Sequence, residues 1–238
     1  DVKILAFVHA ETSTGVCSDG AALAKLAQEH DCLTIMDCVT SLAGVPVMID
    51  DWGVDAAYSG TQKCLSCPPG LSPVTFSERA VETVRKRNTP IQSWFLDLSL
   101  VMDYWSGDGA RSYHHTAPIN AMYALHESLL LLRAEGLEAA WARHRQHHET
   151  LKEGLQKLGL ELLVEEPYRL PQMNSVIIPE ALKAREADIR KTLLSEYNLE
   201  IGAGLGALAG QIWRIGLMGF GASQDNVSTC LEALEEVL

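Results

Sequence analysis

The chain has 238 residues, 47 % of them hydrophobic, with 31 Asp and Glu against 19 Lys and Arg and a formal net charge of −12. That length can bury a sizeable core in one large or two small domains. The acidic balance excludes the basic footprint that nucleic acid or an anionic membrane would need, while leaving room for a few converging cations around a small anion.

No apolar run reaches the roughly 18 residues of a membrane span. The first residues, DVKILAFVHAE, lack the basic start and cleavage site of a secretory leader. The six cysteines (Cys17, Cys32, Cys38, Cys64, Cys67, Cys230) are too sparse for a disulfide framework, so reduced thiols and a cytoplasmic setting are expected. The sequon at Asn226 then has no consequence. The chain opens directly in an apolar strand, as though inside a domain.

In chain order, KILAFVHAE reads as a buried strand and TSTGVCSDG as a loop. GAALAKLAQEH follows as a short helix with apolar spacing near 3.6, and CLTIMD as a second buried strand. This βαβ succession implies parallel pairing with a right-handed crossover. GVPVMIDDWG reads as a connection, DAAYSGTQK as a strand ending at Lys63, and LSPVTFS as another strand after the Pro-Pro-Gly turn. From Pro118 the periodicity is helical, in two helices meeting near Gly136. Strands at ELLVEE, MNSVIIPE, LEIGAG and QIWRIGLMG, with helices at READIRKTLLSEYN and SQDNVSTCLEALEEVL, predict a small α+β domain with a largely antiparallel sheet. The expected division is 1–118, 119–158 and 159–238.

Ligands of open α/β sheets bind beyond the carboxyl ends of the strands. His9, Glu11, Thr12, Asp37 and Lys63 fall at such ends. Arg214 lies in an otherwise apolar strand, where a guanidinium needs a fixed anion: a substrate carboxylate, or an acid in an ordinary salt bridge. The histidines of SYHHTAP lack a third metal ligand at suitable spacing. Cys64 and Cys67 of CLSC read as small buried fillers rather than a redox or zinc pair. His144, His147 and His148 read as a solvated helix face. The glycines of GAGLGALAG precede a strand and so make a tight turn rather than a dinucleotide loop.

The motifs HAETSTG, LTIMDCVTSLAG, DAAYSGTQKCLSCPPG, YHHTAP and WRIGLMG, in this order across nearly the whole chain, resemble the class V, fold-type I aminotransferases that use pyridoxal phosphate. The likeness is nearest to the alanine–glyoxylate and serine–glyoxylate group. It implies an α/β fold with a mostly parallel sheet, crossover helices and a small C-terminal α+β domain. Such chemistry needs an amine kept nucleophilic by burial and a carboxylate that keeps the pyridine nitrogen protonated. The resemblance gives these roles to Lys63, as Schiff-base residue and acid–base catalyst, and to Asp37. It implies that Val39 packs on the ring, that Gln62 and Thr12 hydrogen-bond the cofactor, and that Arg214 takes the substrate carboxylate. It also implies a homodimer in which Tyr113 and Thr116 reach the partner's cofactor phosphate. The implied reaction moves an amino group from alanine or serine to glyoxylate or a similar 2-oxo acid. A lyase or desulfurase of the same fold, and a non-catalytic binding protein, are the alternatives. The resembling proteins carry, ahead of KILAFVH, a phosphate-binding loop and a stacking aromatic that this sequence lacks. The expectation is therefore a portion of a longer or split enzyme, binding cofactor weakly when alone.

Overall fold

The computed structural model describes residues 2–106 and 112–238. β1 (Ile4–Val8) turns alternate side chains, Leu5 and Phe7, inward. Where an open loop was expected, β2 (Ala10–Glu11) and β3 (Val16–Cys17) form a small antiparallel hairpin. Gly15 turns it at φ +78, and a Cβ there would meet Met173 O at 2.6 Å, so both the backbone angle and the close approach of a distant strand require glycine. α1 (Gly20–Glu29) is capped by Asp19, whose carboxylate accepts the Ala22 N–H at 2.9 Å.

β4 (Leu33–Asp37) follows, then the one-turn α2 (Ile49–Trp52), β5 (Ala56–Tyr58) and β6 (Val74–Phe76). The order is β1-β4-β5-β6, with the first three parallel, as the βαβ pattern implied, and β6 antiparallel at the edge. Ala24, Met36 and Ala57, packed by Phe7 and Trp52, fill the space between this sheet and α1 and α2. On the opposite face Ile4, Val8, Tyr58, Val74 and Phe76 are exposed. Parallel strands ordinarily bury both faces; the described residues cover one.

α3 (Glu78–Arg85) and α4 (Leu98–Ser106) occupy a stretch for which the sequence reading names no element. α5 (Ile119–Glu135) and α6 (Leu137–Lys157) meet at Gly136, as predicted, where φ is +90. β7 (Glu161–Leu162), β8 (Met173–Ile177), α7 (Glu186–Tyr197), β9 (Gly202–Ala203), β10 (Ile212–Gly216) and α8 (Gln224–Val237) complete the chain. Their sheet, β7-β8-β10-β9, is antiparallel throughout. The strand expected over LEIGAG contracts to two residues, Gly202–Ala203. Leu151 and Leu155 of α6, Leu193 of α7, Trp213 of β10, and Val227 and Leu234 of α8 form one fully buried core. Each such side chain stabilises by about 1.5–3 kcal/mol.

The histidines of α6 correct the sequence reading: His144, His147 and His148 are buried. Ala140 O lies 2.6 Å from His144 Nδ1, so that nitrogen carries the proton, and Nε2 accepts the Gly219 N–H at 2.9 Å. His148 Nδ1 is 2.6 Å from Asn174 Oδ1. Burial pushes all three imidazoles below their ordinary pKa, keeping them neutral.

Candidate active site

β4 carries Asp37 to its carboxyl end, in register with Val8 on one side and Tyr58 on the other. The rung is closed by His9 N–H to Asp37 O and Cys38 N–H to Tyr58 O, both at 2.9 Å. Asp37 Oδ1 accepts the Val39 N–H at 2.9 Å, bending the chain in an Asx turn. Oδ2 accepts the Tyr58 hydroxyl at 2.7 Å. A carboxylate can accept more than two hydrogen bonds, so Asp37 keeps capacity for a further donor. The hydrogen bond to Asp37, then burial and the carboxylate's charge, raise the Tyr58 phenol above its ordinary pKa.

Contrary to the sequence expectation, Lys63 does not end the strand: β5 stops at Tyr58 and Lys63 lies in the turns beyond. Beyond Tyr58 the polar side chains bond to the neighbouring turn and to the loop itself. Ser59 Oγ donates to Cys38 O at 3.2 Å and Thr61 Oγ1 to Pro68 O at 2.7 Å. The Cys64 thiol lies 3.6 Å from Thr40 O, tying the lysine's turn to the turn after Asp37. Ser66 N–H donates to Lys63 O at 2.9 Å, and Ser66 Oγ accepts the Phe220 N–H at 2.8 Å. The backbone around Lys63 is thus held on several sides. Its side chain is half-buried, and its ammonium has no hydrogen-bond or ion-pair partner among the described residues.

Arg214, in the middle of β10, donates from Nε to Ala203 O at 2.8 Å and from Nη1 to Thr12 O at 3.2 Å. No acid pairs with it among the described residues, so the ordinary salt bridge is not what holds it, and part of its fork remains for another anion. The segment His9–Thr12 therefore runs from the backbone of Asp37 to the guanidinium of Arg214.

The family model described as "Aminotransferase class-V" matches residues 1–221. The chain belongs to the class-V aminotransferases. It is 40 % identical over 237 residues to an alanine–glyoxylate aminotransferase of Oryctolagus cuniculus, a match covering 99 % of this chain and 60 % of that protein. It is 38 % identical to an (S)-ureidoglycine–glyoxylate transaminase of Bacillus subtilis (strain 168), over 99 % of this chain and 60 % of the relative. The crystal structure of an alanine–glyoxylate aminotransferase from Nostoc sp. superposes with a TM-score of 0.93 at 48 % identity, over 98 % of this chain and 61 % of that one. The chain thus spans about 60 % of the length of the relatives it matches. Its architecture is the fold-type I fold of pyridoxal-phosphate-dependent aminotransferases.

The remaining class-V positions are less tightly drawn together. Val39 and Thr12 are half-buried beside Asp37 and Arg214. Gln62 is exposed, its carboxamide folded over Gly60, where a Cβ would lie 2.7 Å from Oε1. Tyr113 and Thr116 bond to each other through their hydroxyls and join the Lys63 turn by no hydrogen bond among the described residues. Cys64 and Cys67 are buried, as the filler reading held. Burial pushes the Cys64 thiol up to about 12 despite Gly219, Arg143 and Lys63. No group of three or more His, Cys, Asp or Glu among the described residues could hold a metal ion, and no described helix is long and apolar enough to cross a membrane. Sequence reasoning missed Tyr58 and Ser66. Tyr58 was detectable only by aligning the two strands in parallel register, and Ser66 by no local signal.

Proposed function

We propose that this chain transfers amino groups, with pyridoxal phosphate, from a small amino acid such as alanine or serine to glyoxylate or a similarly small 2-oxo acid. The reading is supported by an unpartnered amine on Lys63, in a turn that Cys64 ties to the turn following Asp37, whose carboxylate has acceptor capacity to spare. The donor set fits the cofactor. Lys63 would hold it covalently, Asp37 would receive its ring nitrogen, Val39 would pack on the ring, and Thr12 and Gln62 would donate to it. When bound, the cofactor supplies an aldehyde that captures amines and a ring that draws electrons from the substrate's Cα–H bond. Lys63 would move the proton at Cα as general base and acid. Asp37 would hold a proton on the ring nitrogen by its fixed charge. Arg214 would take the substrate carboxylate on the part of its fork not bound to Ala203 and Thr12.

The alanine–glyoxylate relatives support the donor and acceptor classes. The exposed, mutually bonded hydroxyls of Tyr113 and Thr116 suit a place in the partner's site of a homodimer. The six free cysteines suit a reducing, cytoplasmic setting. Borohydride reduction of the chain mixed with pyridoxal phosphate, followed by peptide mass spectrometry, should place the adduct on Lys63. In the longest form of the protein that carries this chain, alanine with glyoxylate should then yield pyruvate and glycine. A label spread over surface lysines, or no transfer from any of a panel of small donors, would overturn the reading.

A further inference from the structure

Tyr58 and Asp37 are register partners on neighbouring parallel strands, so their side chains rise from the same face at the same height. Two donors hold the carboxylate by different oxygens: the Val39 N–H on Oδ1 and the Tyr58 hydroxyl on Oδ2. A single hydrogen bond leaves a carboxylate free to swing about Cβ–Cγ, whereas one bond on each oxygen fixes its plane. The strand backbones beneath are locked by the Cys38 N–H to Tyr58 O bond.

This hydroxyl is not needed to satisfy a buried group. Tyr58 is 41 % exposed, and the Asx turn of Asp37 closes without it. We propose that Tyr58 is a positioning residue: its hydroxyl fixes the Asp37 carboxylate and draws charge from it, so that a proton shared with a bound ring nitrogen stays on the ring. The inference rests on the proposed function. Its physical basis is that a hydrogen bond to a carboxylate stabilises the charged form and makes it a weaker base. Without the hydroxyl, the plane of the Asp37 carboxylate is set by Val39 alone. The same bond raises the Tyr58 phenol above its ordinary pKa.

The test compares wild type, Tyr58→Phe and Asp37→Asn. In the chain without cofactor, 13C-labelled tyrosine NMR should show Tyr58 titrating above its ordinary value, and falling toward that value in Asp37→Asn. With pyridoxal phosphate 15N-labelled in its ring, the wild type should keep the nitrogen shift of a protonated ring, and Tyr58→Phe should move it toward that of a neutral pyridine at every pH where the pair still holds its proton. In the same variant kcat should fall about tenfold with KM within about twofold, because the lost interaction matters most when charge develops on the ring. A 15N shift altered by Asp37→Asn but untouched by Tyr58→Phe overturns the inference and leaves the function standing. A shift untouched by either variant overturns both, since Asp37 would then not face the ring.

Discussion

Two aspartates at opposite ends of one sheet are built in opposite ways. Asp55, just before β5, is almost wholly buried. It accepts from Thr34 N–H at 3.0 Å, Ser77 Oγ at 2.8 Å, and Arg79 Nε and Nη2 at 3.0 and 2.7 Å. Burial by itself would push its carboxyl up, yet Arg79, Thr34 and Ser77 together hold it below the usual carboxylate range. Asp37, at the carboxyl end of β4, is half-buried and, among the described residues, accepts from only Val39 and Tyr58. The saturated acid can do nothing further and serves the fold, whereas the unsaturated one is available to a ligand. The same contrast separates Arg79, engaged by Asp55, from Lys63, engaged by nothing described. Unused hydrogen-bonding capacity, at a strand's carboxyl end for Asp37 and in the turns beyond one for Lys63, is what distinguishes this site from an ordinary ion pair.

The contrast breaks most visibly at Lys63. Lys63→Ala should lower amino transfer by roughly a thousandfold, within the range general acid–base groups supply. Its unfolding free energy should stay within about 0.5 kcal/mol of wild type, because the amine holds nothing together. A variant that keeps its rate, or that unfolds, shows the lysine to be structural. Asp55→Ala should do the reverse. Unfolding free energy should fall by about 3 kcal/mol as the Arg79, Thr34 and Ser77 donors lose their acceptor, with turnover per folded molecule unchanged. The pH dependence has a definite sign. Because the folded pKa of Asp55 is depressed, its contribution is complete above the unfolded value near 3.9 and is lost as pH falls through the folded one. The variant's acid limb should therefore be flatter than that of wild type in urea titrations followed at successive pH values. Asp37→Asn should cost about a hundredfold in rate, by loss of a fixed charge, with less than about 1 kcal/mol of stability. Equal losses of stability in the two aspartate variants would erase the distinction between them.

Much of this was legible beforehand, for identifiable reasons. The apolar runs KILAFV and CLTIMD are long enough to declare buried strands, and Gly136 interrupts a helical period that otherwise runs unbroken. Asp37 and Lys63 could be singled out because acid and amine both fall near strand carboxyl ends. The end of β5 could not, since SGTQ is as compatible with extended chain as with the loop that Ser59 and Thr61 close by side-chain bonds. Helical spacing placed His144, His147 and His148 on one face but could not say what packs there. Asn174 and Gly219, which meet two of them, come from a strand and a turn far along the chain. The carbonyl partners of Arg214 are equally non-local: Thr12 lies at the other end of the sequence. Tyr58 needed the strand register, and a shift of one residue would have faced it away from Asp37.

The smallest expected effect concerns the thiol next to the lysine. A desulfurase would need a cysteine reactive near neutral pH, and reactivity follows the thiolate. Cys64 is buried, its thiol lies against Thr40 O, and burial pushes it up to about 12, so at neutral pH essentially none of it is ionised. Iodoacetamide near pH 8 should therefore leave Cys64 unmodified in the folded chain, as read by peptide mass spectrometry, and label it only after denaturation. Cys64→Ala should keep amino transfer within about twofold, the change being confined to a small void beside Gly44. Rapid labelling of the folded chain, or a rate that collapses in Cys64→Ala, would place the thiol in the chemistry. The neighbour of Lys63 would then join Asp37 among the groups left available for reaction.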